Sequence, residues 1–595
     1  MSRAWLKPNQ TAGSVKPEID YDAIKEKYKQ FRAARLRDDG TEQYTSDIEN
    51  VKGGKYVDDP WAGEEEFMRE PLNDTVDVII IGGGFSALLT SSRLRDFGIE
   101  KIRIVERGAD VGGTWYWNRF PGVACDVPSY DYLPLLDEMQ YIPKRRYSQG
   151  PEIYSHCQNL AEKYDLYKLA VFRTTVTSTI FDPSTKLWSV GTDRGDSMKA
   201  HFVIVANGTL SKPKLPKYLI DGLEKFQGQS FHTSRWDYNV TGDNLEKLDG
   251  LRVGIVGTGA TAVQAIPELA KAAGHLHVFQ RTPSSVQVRG DFATDPNWAR
   301  KLGPNYFNDR RQKMLDLMGK NSGFLNLGKE ERERRATMTA EEKAKRAEQA
   351  NIRAMQAIHR RVDNVVKDPV VAESLKPYYM IGCKRPTFHD EFLPTFNRPN
   401  VTLVDTKGKG INTINDKGIV FNGKTYELDV LIMATGFEVQ KTGIWNEIRG
   451  MNNLELNDKY KDGVRTLLGI HSNGYPNMYI MGGYQASFSF NLVDILRKQG
   501  DHIARTINYA KELGEKHGQK FAAITCTYKA EDYWVNEVIS HRGKSNYSKE
   551  CTPGYYNFEG EEQRRQDGNY NGGVMKYYNE VDAIANNFEE HFEAV

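Results

Sequence analysis

The chain has 595 residues, 39% hydrophobic and 27% charged, with 80 basic side chains almost balanced by 79 acidic ones. One hydrophobic core does not grow to that length, so three or four domains are expected. A formal net charge of +1 gives no electrostatic reason to expect nucleic acid or an anionic membrane as partner, and no uncharged apolar run is long enough to span a bilayer.

Residues 1–73 read as a polar N-terminal extension packed on the body. Tyr21 to Arg37 has helical composition, and Pro60-Trp61 is a candidate docking point. The start lacks an apolar signal core, and Glu18, Asp20, Asp22 and Glu26 argue against a transit peptide, so a soluble cytoplasmic protein is expected.

From Thr75 to Glu106 the order strand, Gly turn, helix, strand forms one βαβ unit around Gly82-Gly83-Gly84-Phe85-Ser86-Ala87. A second unit runs from Leu251 to Arg281 around Gly257-Thr258-Gly259-Ala260-Thr261-Ala262. One such turn is weak evidence, but two in one chain imply two dinucleotides and electron flow between them.

The residue at the end of the second strand of each unit reads the ribose. Glu106 stands there in the first unit, 24 residues beyond Gly82, and a carboxylate suits the adenosine ribose of FAD or NAD. Arg281 holds the same place, 24 residues beyond Gly257, with Thr282 beside it. A guanidinium matches a 2′-phosphate, so the second nucleotide is expected to be NADPH. FAD in the first unit gains support from Gly113, Thr114 and Trp115, where small residues let backbone approach the flavin and an aromatic can pack on it.

Residues 296–378 are charged and helical and read as a solvated insertion, with Glu330 to Arg335 among its most polar parts. The runs Phe202–Gly208 and Leu428–Gly436 echo one another as buried strands ending in a Gly turn. The five cysteines are scattered without a C-x-x-C pair, which excludes a thioredoxin-type dithiol and a Cys-rich zinc site; no metal centre is expected.

Between the two units lies Phe226-x-Gly228-x-x-x-His232-x-x-x-Trp236-Asp237. This resembles the signature of type I Baeyer–Villiger monooxygenases. Gly112 to Gly122, Val278 to Pro283, Lys384-Arg385 and Ala434 to Phe437 are similar to the same family, and Cys551 to Asn557 is similar to its large-ring and polycyclic-ketone subgroup. Gly482 to Gln485 and Val123-Ala124 depart from the usual pattern without removing a residue the chemistry needs.

The resemblance implies an α/β fold: two Rossmann-like (three-layer ββα-type) domains with a helical insertion and an N-terminal extension. FAD would be bound by 74–215 and 429–595, the latter also holding the substrate region, and NADPH by 216–295 and 379–428. It also implies a cycle in which NADPH reduces FAD, O₂ adds at the flavin C4a, and the resulting peroxide attacks a ketone to give an ester or lactone.

Arg385 would stabilise the anionic oxygen and Asp126 would position that guanidinium. Lys384 would join Arg281 and Thr282 on the 2′-phosphate. Ser86, Tyr132 and Val176 would contact FAD. His232 and Trp236 have no partner spaced for a proton relay, and their motif reads as a conformational link between the nucleotide domains. The tyrosine- and glycine-rich stretches Tyr484–Asn491 and Tyr547–Tyr570 suit a roomy apolar pocket for bulky ketones. Partners are thus a ketone and O₂, with a monomer expected and a homo-oligomer as the alternative. The rival readings are an N- or S-monooxygenase, a disulfide reductase-like hydride carrier, and a catalytically silent flavoprotein.

Overall fold

A computed structural model describes residues 19–63, 68–320, 333–334, 337–439, 447–489, 491–542 and 550–595. Two separate parallel-type sheets organise the chain. In the first, Thr75–Ile81 is the central strand, pairing in parallel with Ile102–Val105 on one side and Ser197–Val205 on the other. Its six residues Val76 to Ile81 are all buried, the pattern of a parallel strand covered on both faces. The sheet continues through the antiparallel strands Leu187–Thr192 and Val176–Asp182, while Ala170–Val171 closes the other edge.

The second sheet is wholly parallel in the order Gln229–His232, Val430–Met433, Arg252–Val256, His275–Gln280, Val401–Asp405. Val430–Met433 inserts between two strands of this sheet, so the expected boundary at 428/429 is corrected: this run belongs with the second nucleotide unit, not with the first. Its four side chains are all buried, and only a place inside a sheet covers both faces of such a run.

The two units repeat one device. Gly82 has φ +108°, and a Cβ there would lie 2.6 Å from the carbonyl oxygen of Ala206. Gly257 has φ +116°, and a Cβ there would lie 2.5 Å from the carbonyl oxygen of Ala434. Each turn is thus pressed against the end of the strand that returns to its sheet, which explains why the two strand runs echo one another. After each turn a helix begins, Phe85–Asp96 in the first unit and Ala260–Ala272 in the second.

The insertion contributes Tyr306–Lys320 and the 26-residue helix Ala340–Val365, which starts in a capping box of Thr339 and Glu342. Only its outer face is solvated. Ile352, Met355 and Ile358 join Tyr28, Tyr379, Cys383 and Cys551 in a small core against the arm helix Tyr21–Ala33. Part of the charged run 330–335 lies outside the described residues.

Cys383 and Cys551 form a disulfide across 168 residues of sequence. Nothing in their spacing announced it; Cys125, Cys157 and Cys526 are free and buried. Among the described residues, no helix is long and apolar enough to cross a membrane.

Candidate active site

At the first turn, Glu106 is buried and accepts hydrogen bonds from the amides of Gly83 and Gly108, both at 2.6 Å. Burial raises its pKa and the two amides pull against that rise. Gly113 then lies on the turn: a Cβ on Gly113 would be 2.8 Å from Cα of Gly84, and the Gly112 amide donates to the Gly83 carbonyl at 2.9 Å. Glycines at 82, 84 and 113 are therefore what let these backbones approach. Such a cradle of bare backbone beside the buried N-terminus of helix Phe85–Asp96, with Ser86 and Ala87 in its first turn, fits a dinucleotide pyrophosphate.

Thr114 opens the short helix Thr114–Trp117, and the Trp115 indole donates to the Tyr132 hydroxyl at 3.0 Å. Burial pushes the Tyr132 phenol well up, and the charge of Arg385 reaches it. Val176, also expected at FAD, opens strand Val176–Asp182. Its side chain is 6% exposed and packs in the apolar cluster with Ile79, Ile81 and Val105, because alternation along Val176–Asp182 turns it inward.

Arg385 and Asp126, 259 residues apart, form an ion pair in which one guanidinium nitrogen donates to both carboxylate oxygens at 2.9 and 3.0 Å. The arginine side chain is 42% exposed and the aspartate 12%, so the cation faces outward from an acid held in place. Burial works against the guanidinium charge, but Asp126, Tyr555 and Tyr556 outweigh it and raise its pKa. Tyr555 and Tyr556 stack edge to face at 4.4 Å and remain partly exposed. Asn491 donates to the Asp131 carbonyl next to Tyr132, and Phe488 and Leu492 of the same segment are exposed. Tyr547, the start of the second stretch expected to line the pocket, lies outside the described residues.

At the second turn, Thr258 donates to the Thr282 carbonyl at 2.9 Å, tying the glycine turn to the strand end. Gly259 is exposed, Thr261 half-buried and Ala262 buried at the helix start. Arg281 donates to Gln43 at 2.8 Å and the Tyr44 hydroxyl at 2.7 Å, and pairs with Glu559 at 3.2 Å. Lys384 donates to the Pro553 carbonyl at 2.6 Å, and burial pulls its pKa down to about 8 despite Glu559.

Lys214 is 9% exposed, with its ammonium 4.2 Å above the Tyr44 ring. The sequence reading missed Gln43, Tyr44, Lys214 and Glu559. They come from three distant segments, and no local spacing points to them.

The linker motif is explained by packing. A Cβ on Gly228 would strike the Phe226 ring at 2.4 Å and the Asp429 carbonyl at 2.7 Å. His232 is fully buried, bonded through Nδ1 to Ser234 and stacked edge-on against Phe437 at 5.6 Å. Burial, with Arg235 nearby, takes its pKa down to about 3, so it stays neutral. The buried Trp236 indole donates to Thr241 at 3.1 Å, and Asp237 caps Tyr238–Thr241 by accepting from Asn239. Arg235 lies 4.1 Å over the Trp117 ring, so the motif touches the segment that follows Gly113.

Two glycine cradles of the dinucleotide-binding type, together with the Arg385–Asp126 pair, are the parts of a flavoprotein that takes a second dinucleotide. Residues 75–296 match the family model described as flavin-binding monooxygenase-like. The chain is 40% identical over 590 residues to pentalenolactone D synthase of Streptomyces arenae, covering 94% of this chain and 97% of that one. It is 43% identical over 564 residues to a Baeyer–Villiger monooxygenase of Streptomyces coelicolor, covering 90% and 91%. The solved structure of polycyclic ketone monooxygenase from Thermothelomyces thermophila superposes with a TM-score of 0.87 at 33% identity, over 96% of this chain and 99% of that one.

The chain belongs to the Baeyer–Villiger monooxygenases. It is an FAD- and NADPH-dependent enzyme that inserts one oxygen atom beside a ketone carbonyl, giving an ester or lactone.

Proposed function

We propose that Arg385, held by Asp126, is the cation that serves the oxygen-insertion step. The observation that carries this reading is the two-oxygen ion pair between residues 259 apart, beside Tyr132 and the Gly113 cradle. Bound FAD supplies the electron transfer and oxygen chemistry. The chain's own part is to hold a permanent positive charge where negative charge develops on oxygen. A guanidinium keeps its proton at any working pH, whereas a buried lysine in this protein falls to about 8.

Gly82, Gly84, Ser86, Ala87, Glu106, Gly113, Thr114, Trp115 and Tyr132 would hold FAD. Gly257, Thr258, Gly259, Thr261, Ala262, Arg281, Thr282 and Lys384 would hold NADPH. The motif Phe226, Gly228, His232, Trp236 and Asp237 would link the two, since it packs against both Phe437 and Trp117.

The ketone is proposed to be bulky or polycyclic. Exposed Tyr555, Tyr556, Phe488 and Leu492 support that, as does the likeness to the Thermothelomyces enzyme. We propose a monomer acting alone on ketone and O₂. A cytoplasmic location fits a consumer of NADPH, and thiol titration of enzyme from unreduced lysate would test it against the Cys383–Cys551 bond.

The deciding experiment is Arg385→Ala. This variant should remain yellow and be reduced by NADPH, while ester formation falls by roughly 10²–10³ or more. Ester formation at the wild-type rate would overturn the assignment.

A further inference from the structure

Three buried or half-buried cations crowd the end of strand His275–Gln280 without a carboxylate within ion-pair distance among the described residues. Arg35 comes from the N-terminal arm, Lys214 from the linker before the second sheet, and Lys384 from the loop that also carries Arg385. Arg35 is 7% exposed. It donates through Nε to the Thr282 hydroxyl at 3.1 Å and through Nη1 to the Phe31 carbonyl at 2.9 Å, with its guanidinium 3.3 Å from the Phe31 ring centre.

Its charge is felt at Lys384, and that of Arg281 is felt at both Arg35 and Lys384. Burial takes its pKa down to about 10; Asp405 opposes that and Arg281 adds to it. The acids facing this group are Asp405 towards Arg35, Glu559 towards Arg281, Lys214 and Lys384, and Glu438 towards Lys214. Of these, Glu559 makes an ion pair with Arg281. Placing like charges together out of water is costly unless an anion joins them.

We propose that the N-terminal arm is part of the coenzyme site, with Arg35 as a third 2′-phosphate ligand beside Arg281 and Lys384 and a determinant of NADPH over NADH. The inference rests on the reading that NADPH occupies the second turn. Gln43 and Tyr44 of the same arm orient Arg281, so 2′-phosphate recognition is assembled across the junction of arm and body. Arg35 would act as a coenzyme ligand and not as a catalytic residue.

The test is equilibrium binding of 2′,5′-ADP, NADP⁺ and NAD⁺ to the full-length FAD-loaded protein, with Arg35→Gln, Arg35→Lys and Arg281→Gln compared with wild type. Arg35→Gln should weaken 2′,5′-ADP and NADP⁺ by about tenfold or more and leave NAD⁺ within about twofold, and Arg35→Lys should recover part of the loss. Equal losses on NADP⁺ and NAD⁺, or none, overturn the proposal.

If wild type itself does not prefer NADP⁺ and Arg281→Gln changes nothing, the underlying reading fails instead. Hydrogen exchange on the unaltered protein guards against a folding defect. NADP⁺ should slow exchange at residues 31–44 and NAD⁺ should not; no difference there also overturns the role of the arm.

Discussion

The two glycine turns are near copies in backbone, yet the residue proposed to read the ribose at each is secured in opposite ways. Glu106 is held by amides only 23 and 2 residues away, within its own βαβ unit. Arg281, at the same spacing from its turn, is held by Gln43, Tyr44 and Glu559, which lie 238, 237 and 278 residues away. A local site of the first kind forms whenever its strand and helix form. A site of the second kind exists only when the arm and the C-terminal loop have docked, so it can be loosened without unfolding the sheet it serves.

The hardest way to break this comparison is to fill each turn. At Gly82 and Gly257 a valine would have to adopt positive φ and meet a carbonyl oxygen at 2.6 or 2.5 Å. Gly82→Val should give colourless or insoluble protein. Gly257→Val should stay yellow but bind NADP⁺ some 10²-fold more weakly, as read from absorbance at the flavin band and from coenzyme titration. The reverse pattern would mean the two turns have been assigned the wrong way round.

Next in size, Arg281→Gln should raise the KM for NADPH by about 10–100-fold and leave that for NADH unchanged, whereas Glu106→Gln should lower FAD retention and spare the coenzyme preference. Steady-state kinetics with both coenzymes, alongside flavin content, separate the two.

A pH series sharpens the picture further. With its pKa near 8, Lys384 is charged below that value and ready for a phosphate. Above it, a proton must be taken up on binding, so NADP⁺ affinity should fall by up to about tenfold per pH unit while NAD⁺ binding stays flat. The charged neighbours to be held constant are Glu559, Arg281, Arg35 and Lys214. Lys384→Met should remove the slope; a slope that persists assigns the proton elsewhere.

The smallest effect is expected from the staple. Cys551→Ser frees the loop carrying Pro553 and Glu559 from Lys384, so NADP⁺ should weaken about two- to fivefold and melting fall by a few degrees, with flavin content unchanged. Calorimetry with coenzyme titration checks both.

Much of this was readable from residue order. Strand–turn–helix–strand units and the acid held at the end of the first depend on contacts between residues close in sequence, and those follow spacing. Gly228 shows the limit. Its spacing from Phe226, whose ring is in the way, was visible, but the second obstacle, the Asp429 carbonyl, is brought up from a distant part of the chain. Val430–Met433 was given to the wrong sheet because a buried apolar run fits either.

By itself, then, the sequence determined that two dinucleotide units exist and which family the chain resembles, and it nominated Glu106, Arg281 and the Lys384-Arg385 dipeptide for the roles proposed above. The tertiary structure alone decided what surrounds those residues: Asp126 under Arg385, the arm at Arg281 and the bond from Cys383 to Cys551. The division is physical. Backbone hydrogen bonding and steric limits act over a few residues and leave a periodic trace, whereas burial and charge pairing join groups by distance in space, which residue order does not record.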